Sequence, residues 1–80
     1  MIHIGKLIHE ELLRQGRTPA WLARRIHCQR PNVYYIFKHP TINTEQLLAI
    51  SRALSVNLFS YYTNEEVFDE YPEDDINQIE

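Results

Sequence analysis

The fold is decided by residues 18–38, TPAWLARRIHCQRPNVYYIFK, where two short helical patterns follow one another closely. Thr18 followed by Pro19 is typical of a helix start, since threonine caps the first turn and proline has no N–H group to leave unsatisfied. The stretch therefore predicts helices at about residues 19–26 and 30–38, joined by a tight turn. Their inward-facing apolar residues recur at helical spacing: Leu22, Ala23, Ile26, Val33, Ile36 and Phe37.

The second of these helices has an outer face unlike its inner one. Pro31, Tyr34, Tyr35 and Lys38 point away from the apolar stripe when successive residues are placed about 100° apart. A short helix with a buried spine and an outer face of tyrosine, lysine and arginine is suited to the major groove of DNA. The pair is therefore interpreted as a helix-turn-helix, and a solvated surface without a partner is the alternative.

Three more helices are predicted around this pair. The first covers residues 2–15, and its Gly5 is expected to weaken it by about 1 kcal/mol relative to alanine. Asn43 is expected to cap a fourth helix, and Asn57 a short fifth helix at about residues 58–62. Apolar or small residues at helical spacing line the inner faces of the first and fourth helices: Ile4, Leu7, Ile8, Leu12, Leu47, Ile50, Ser51 and Leu54.

Charge is divided unevenly along the chain. The 80 residues carry a net charge of −3, but all eight lysines and arginines lie in residues 1–60 beside three acids, which gives +5 there. Residues 61–80 hold eight acids and no base. The chain is therefore predicted to form one small domain, residues 1–62, and an acidic tail, residues 63–80, that is partly disordered or ordered by a partner. A basic domain of this kind favours a polyanion as ligand.

Several classes of protein do not fit this composition. Cys28 is the only cysteine, so no internal disulfide is possible and a cytoplasmic location is expected. No stretch approaches the ~20 apolar residues of a membrane span, and the start lacks the pattern of a signal peptide. His3 and His9 lie on different faces of the first helix, so no metal site is expected. Without a catalytic triad pattern or a glycine-rich phosphate loop, neither an enzyme nor a cofactor is expected.

Features spread over residues 4–62 recur together in one known family: Ile4–Gly5, Gly16, Leu22–Ala23, Ile26, Val33, Ile36 and the run LLAISRALSV at residues 47–56. Through them this part of the chain resembles the lambda-repressor-like (Cro/C1, XRE-type) helix-turn-helix DNA-binding domain. The resemblance implies an all-α fold of five short helices in a bundle, with helices 2 and 3 as the helix-turn-helix. It also implies a sequence-specific DNA-binding transcriptional regulator that places helix 3 in the major groove of double-stranded DNA.

The resemblance also assigns roles to individual residues. It implies base contacts for Arg30, Pro31 and Tyr35, and an arginine at the first of these positions can bind guanine O6 and N7 together. The chain departs from the family at His27 and Phe37, where the family often has glycine and glutamate, and Pro31 can offer only shape. Contacts to the DNA backbone are implied or expected for a larger set: Arg17, Thr18, Pro19, Tyr34, Lys38, Thr41 and Asn43.

The end of the chain leaves alternatives open. The fifth helix is more apolar than one small core needs, so a homodimer face is expected there: Leu58, Phe59, Tyr61 and Tyr62. The alternative is that Phe59, Tyr61 and Tyr62 only cover the small core. The alternative function is an antitoxin-like or adaptor module that docks another protein through this helix and the acidic tail. The tail is otherwise a solubilising segment, or it competes with DNA for the basic face. Trp21 either stacks against the DNA backbone or packs against Arg25 or the first helix.

Overall fold

The structure is a computed structural model, and it describes residues 1–63. These residues form five α-helices and no strand, which confirms the all-α prediction for this part of the chain: α1 Ile4–Arg14, α2 Pro19–Arg25, α3 Arg30–Lys38, α4 Thr44–Leu54 and α5 Ser60–Thr63. Within residues 1–63 no helix has both the length and the apolar composition to cross a membrane. The predicted tail lies, apart from Thr63, outside the described residues, so the division of the chain at residue 62 stays a prediction.

Side-chain caps begin three of the helices. The Thr18 hydroxyl accepts a hydrogen bond from the Trp21 N–H at 3.1 Å, and Asn43 Oδ1 accepts one from the Gln46 N–H at 2.7 Å. Both caps were expected, because threonine and asparagine satisfy N–H groups of a first turn that have no partner within the helix. His3 caps α1 through Nδ1, which accepts from the Lys6 N–H at 3.0 Å. This role gives His3 a structural function that its sequence position alone did not indicate.

The core is formed by the inner stripes of the helices. α3 packs against both α1 and α2, and α2 also packs against α4. As predicted, the spine of α3 turns inward, and the same holds for the stripes of α1, α2 and α4 apart from the half-buried Leu7 and Ile26. The buried apolar residues of the described part are Ile4, Ile8, Leu12, Leu22, Ala23, Val33, Ile36, Phe37, Leu47, Ile50, Leu54 and Leu58.

The placement of Leu58 on a dimer face is wrong. Its side chain is 0 % exposed and belongs to the core, so it has no surface to offer a second copy. The Leu58 N–H donates to Ser51 Oγ at 3.4 Å, and the Ser51 hydroxyl donates to the Leu47 carbonyl oxygen at 2.8 Å. The buried Ser51 therefore ties the segment after α4 back onto α4.

Gly5 lies where α1 meets the end of α3. Its N–H donates to the His39 carbonyl oxygen at 3.1 Å, and the Ile4 N–H donates to the Pro40 carbonyl oxygen at 3.1 Å. A Cβ atom at Gly5 would overlap the carbonyl oxygens of Ile36 and His39 and lie 2.7 Å from that of Phe37. The expectation that Gly5 only weakens α1 is therefore wrong, because no larger residue fits the contact between the two backbones.

A polar network joins the end of α1 to the end of α4. Gln15 Nε2 donates to Glu11 Oε2 at 2.8 Å and to the Leu54 carbonyl oxygen at 2.9 Å, and Arg14 donates to both carboxylate oxygens of Glu11. The hydrogen bond from Arg14, with a smaller contribution from Gln15, holds the pKa of Glu11 below its ordinary value although burial opposes this. The carboxylate is thus kept charged at the edge of the core.

Three of the helices are followed by a residue whose backbone has the left-handed conformation. Gly16 has a φ of 70°, His27 of 58° and Ser55 of 56°. Glycine adopts this conformation without steric cost, whereas a residue with a Cβ atom is strained in it. The turn between α2 and α3 therefore holds a histidine in a conformation that favours glycine.

Replacing His27 with glycine is expected to raise the free energy of unfolding by roughly 0.5–1 kcal/mol, the relief of strain less the added freedom of the unfolded chain. Urea denaturation followed by circular dichroism measures it. Gln29→Gly is the matched control, because Gln29 has a φ of −83° and gains nothing from glycine. A loss of stability in H27G as large as that in the control would contradict the assignment of strain to His27.

Candidate nucleic-acid interface

The outer surface of α3 is set by the residues that the helix buries. Val33, Ile36 and Phe37 are buried against the core, so the opposite side of the helix faces solvent. Tyr34 is 47 % and Tyr35 59 % exposed, and these two are among the few large hydrophobic side chains that the described part exposes. Six residues of this helix are exposed, and we call all of them except Asn32 the α3 outer face: Arg30, Pro31, Tyr34, Tyr35 and Lys38.

Contacts within α3 restrict the two tyrosine rings. Tyr35 stacks on His39, with ring centroids 3.8 Å apart, and the His39 ring nitrogen Nδ1 donates to the Tyr35 carbonyl oxygen at 2.9 Å. Tyr34 lies edge-on to Phe37 at 6.1 Å, and Phe37 stacks on His9 of α1 at 4.2 Å. Side chains already held in place lose less conformational entropy when they bind a ligand. The α3 outer face is thus partly pre-organised.

A groove lies between the end of α3 and the start of α4. Three of the predicted contact residues, Tyr35, Thr41 and Asn43, line it together, and its volume is about 260 Å³. His39 and Gln46 also line this groove, and neither was assigned a role from the sequence. The spacing of four residues between Tyr35 and His39 is the signal that could have identified the histidine, because residues i and i+4 are neighbours on a helix.

The opposite end of α3 forms a second depression with α2. Arg30 and Pro31 line it beside Gln29 and Arg24, while the half-buried Cys28 contributes to its wall. The structure therefore separates the predicted base-contacting residues. Arg30 and Pro31 lie at the start of α3, and Tyr35 lies at the groove near its end.

The start of α2 is held by an aromatic contact. The guanidinium group of Arg17 lies 4.5 Å from the centroid of the Trp21 ring, and that of Arg25 lies 5.5 Å from it. Trp21 thus packs against Arg25, one of the two alternatives for this residue, and attracts two cations through its ring.

The Thr18 hydroxyl accepts the capping hydrogen bond but keeps its own O–H as a donor. The capping Asn43 likewise keeps its amide N–H groups as donors.

Positive charge dominates the described part of the chain. Residues 1–63 contain eight lysines and arginines against Glu10, Glu11 and Glu45. Within this part the one ion pair joins Glu11 to Arg14, so the cations near α3 have no carboxylate partner among the described residues. Such a surface attracts an anion, and the attraction falls as salt increases.

The remaining predicted residues form an apolar surface around α5. Phe59, Tyr61 and Tyr62 are each half-buried and pack against the core. Phe59 and Tyr62 line an apolar depression with Ile42 and Leu47, and its volume is about 370 Å³.

Among residues 1–63 no three histidine, cysteine or acidic side chains lie close enough together to hold a metal ion.

Comparisons with known proteins add nothing to this geometry. A scan against protein-family models, a search of curated proteins and a search of solved structures each gave no match to the chain.

Proposed function

We propose that this protein is a sequence-specific DNA-binding regulator of transcription that acts in the cytoplasm and places α3 in the major groove. The observation that carries the proposal is the α3 outer face, where cations and hydroxyl-bearing rings are exposed along one side of a helix whose other side is buried. An α-helix fits the major groove, and arginine and polar side chains read base edges there. α2 and α3 act as the helix-turn-helix in this proposal.

Base contacts are proposed for Arg30, Pro31 and Tyr35. Arg30 is the first residue of α3, and the first residues of a recognition helix are those that meet base edges. Its planar guanidinium group suits guanine, whose O6 and N7 accept two parallel hydrogen bonds. Pro31 has no side-chain donor and would contribute shape, and the Tyr35 ring could pack on a thymine methyl group.

Contacts to phosphate are proposed on both sides of α3. Donors stand at the start of α2, where Arg17 and the Thr18 hydroxyl are exposed, and in the loop before α4, where Thr41 and Asn43 are exposed. Phosphate contacts of this kind fix the orientation of the protein on the duplex without reading sequence. The remaining proposed contacts to the DNA backbone are made by Pro19, the first residue of α2, and by Tyr34 and Lys38 of α3.

Arg30→Ala and Lys38→Ala are expected to weaken DNA binding in different ways. Arg30→Ala should cost about 1–3 kcal/mol of discrimination at one base pair, whereas Lys38→Ala should weaken binding to all sequences and lower the salt slope by about one. Selection from a random DNA pool, followed by titrations of the selected duplex at several salt concentrations, measures both effects. Lys6→Ala removes another exposed cation and is the matched control. If the wild-type chain binds no member of the pool at low salt, the proposed function is wrong.

A homodimer is proposed through Phe59, Tyr61 and Tyr62. The apolar depression beside Phe59 and Tyr62 supports it, because an apolar surface of this kind is better buried. Two copies would then read half-sites about 34 Å apart, one turn of the duplex.

Tyr62→Ser is expected to raise the dimer dissociation constant at least about tenfold, because tyrosines buried at an interface cost more than 1.4 kcal/mol to remove. Sedimentation equilibrium of the full chain measures it, and Thr44→Ser at the rim of the same depression is the control. A wild-type chain that is monomeric both alone and on DNA would contradict the dimer. It would favour the second candidate, an antitoxin-like or adaptor module whose apolar surface docks another protein.

A further inference from the structure

Three arginines meet on the side of the molecule that α2 and α4 share. Arg24 and Arg25 stand in the last turn of α2, Arg52 stands in the last turn of α4, and all three line one depression of about 480 Å³. His27, Ala49 and Ala53 complete its walls, and no residue of α3 lines it. We call Arg24, Arg25 and Arg52 the arginine cluster. None of the residues proposed to contact DNA lines this depression, although Arg24 also lines the one that holds Arg30 and Pro31.

The described part of the chain supplies no counter-charge to the arginine cluster. Glu11 is paired with Arg14, and neither Glu10 on α1 nor Glu45 in the first turn of α4 lines the depression. Four of the backbone carbonyl groups near the two helix ends already accept hydrogen bonds. The Ala23 and Arg24 carbonyl oxygens accept from the turn after α2, and the Ser51 and Arg52 carbonyl oxygens accept from the turn after α4. Three arginines that line one depression therefore favour an acidic ligand, and of the three Arg25 also contacts the Trp21 ring.

We propose that the arginine cluster binds residues 65–75 of the same chain. This segment, EEVFDEYPEDD, holds seven acids and no base. Carboxylates and guanidinium groups form paired, charge-assisted hydrogen bonds, and several such pairs at one place reinforce one another. Because the segment is tethered to the domain, its effective concentration at the cluster is on the order of millimolar.

The length of the chain permits this contact. α5 ends at Thr63, and Phe59 and Tyr62 line one depression with Thr44 and Leu47 of the first half of α4. The last turn of α4 lies one helix length away, about 16 Å at 1.5 Å per residue. Residues 69–75 are six to twelve residues beyond Thr63 and span up to about 20–40 Å when extended. The acids in the second half of the segment therefore reach the cluster.

The arginine cluster suits this segment better than the α3 outer face does. Arg30 and Lys38 stand at the two ends of α3, and eight residues of helix place their Cα atoms about 12 Å apart. Cations that far apart would bind carboxylates several residues apart in the segment, not neighbouring ones. In the arginine cluster three arginines from two helices line a single depression, so neighbouring carboxylates can be bound together. The tail then leaves the α3 outer face open to DNA.

The test places a spin label on the tail of the full chain. A nitroxide is attached at Asn77→Cys in a Cys28→Ala background, and the isotope-labelled sample contains no DNA. The nitroxide shortens the relaxation times of nearby amide protons. We expect loss of amide signal at residues 24–27 and 49–53, abolished by the triple variant R24Q/R25Q/R52Q. The variant R17Q/R30Q/K38Q removes the same charge elsewhere and is the matched control, in which the loss should persist.

Each other outcome overturns the proposal. Signal loss confined to α3 and residues 41–43 would place the tail on the DNA interface, and no localised loss would leave the cluster without this ligand. A mixture of isotope-labelled chain with spin-labelled chain of natural isotope content detects contacts between copies, and signal loss there would assign the contact to a second copy. Because the measurement contains no DNA, its failure is independent of the proposed function. Amide spectra of both triple variants show that each is folded.

Discussion

Replacing Gly5 with alanine is expected to lower the free energy of unfolding by about 3 kcal/mol, at the upper end of the usual cost of overpacking. The added methyl group would overlap the carbonyl oxygens of Ile36 and His39, and backbone atoms cannot rotate away as a flexible side chain can. α1 would have to move away from α3, which would also lengthen the hydrogen bonds that Ile4 and Gly5 donate to Pro40 and His39. A chain of this size is stabilised by only roughly 4–12 kcal/mol, so much of the stability would be lost.

Gly16→Ala is the matched control for this change. Gly16 has a φ of 70° but nothing within 4 Å of an added Cβ atom, so its replacement costs only backbone strain. That strain is worth about 1–2 kcal/mol. Urea denaturation of both variants separates a packing cost from a conformational one. The close approach of α1 and α3 is contradicted if Gly5→Ala is as stable as Gly16→Ala or more so.

Leu58→Ala is expected to lower the free energy of unfolding by about 3 kcal/mol, as is usual for a fully buried leucine. Its side chain is 0 % exposed, so its removal leaves a cavity next to the segment that Ser51 holds. Leu13→Ala is the control, because Leu13 is 63 % exposed and surface substitutions usually change stability by less than about 0.5 kcal/mol. Thermal and urea unfolding measure both variants.

The same pair of variants tests whether Leu58 belongs to the core or to a dimer face. A residue on a dimer face would change the dissociation constant of the dimer and leave the stability of the protomer almost unchanged. A Leu58→Ala variant as stable as Leu13→Ala, with weakened self-association, would return Leu58 to the dimer face.

The helices could be predicted from the sequence because their signals are local. Thr18, Pro19 and Asn43 satisfy or omit N–H groups within one turn, and apolar residues repeat with the period of a helix. Both kinds of signal are read from neighbours in the chain. The predicted bounds of α2 and α3 therefore lie within one residue of the structure.

The roles of Gly5 and Leu58 could not be predicted from local signals of this kind. The role of Gly5 depends on the carbonyl groups of α3, more than thirty residues later in the chain, and no local pattern reveals that approach. Leu58 begins a segment of four large apolar residues in five positions. Periodicity does not show which of these four enters the core, because the helix that follows is only one turn long.

In the candidate site, too, local features could be predicted and contacts between distant residues could not. The exposure of Tyr34, Tyr35 and Lys38 followed from the buried stripe of α3, since burying one side of a helix exposes the other. The groove that gathers Tyr35 with Thr41 and Asn43 depends on how the loop after α3 returns to α4, so His39 and Gln46 were missed. The family resemblance carried the assignment of roles, and those roles remain proposals.

The most direct test of the proposed function is the footprint of DNA on the protein. An isotope-labelled full chain is titrated with a duplex selected from the random pool, and its amide chemical shifts are followed. The largest shifts are predicted on the α3 outer face and at residues 17–19 and 41–43, with little change at Ala49 and Ala53 beside the arginine cluster. Shifts concentrated around that cluster or on α5, with α3 unchanged, would contradict the placement of α3 in the major groove.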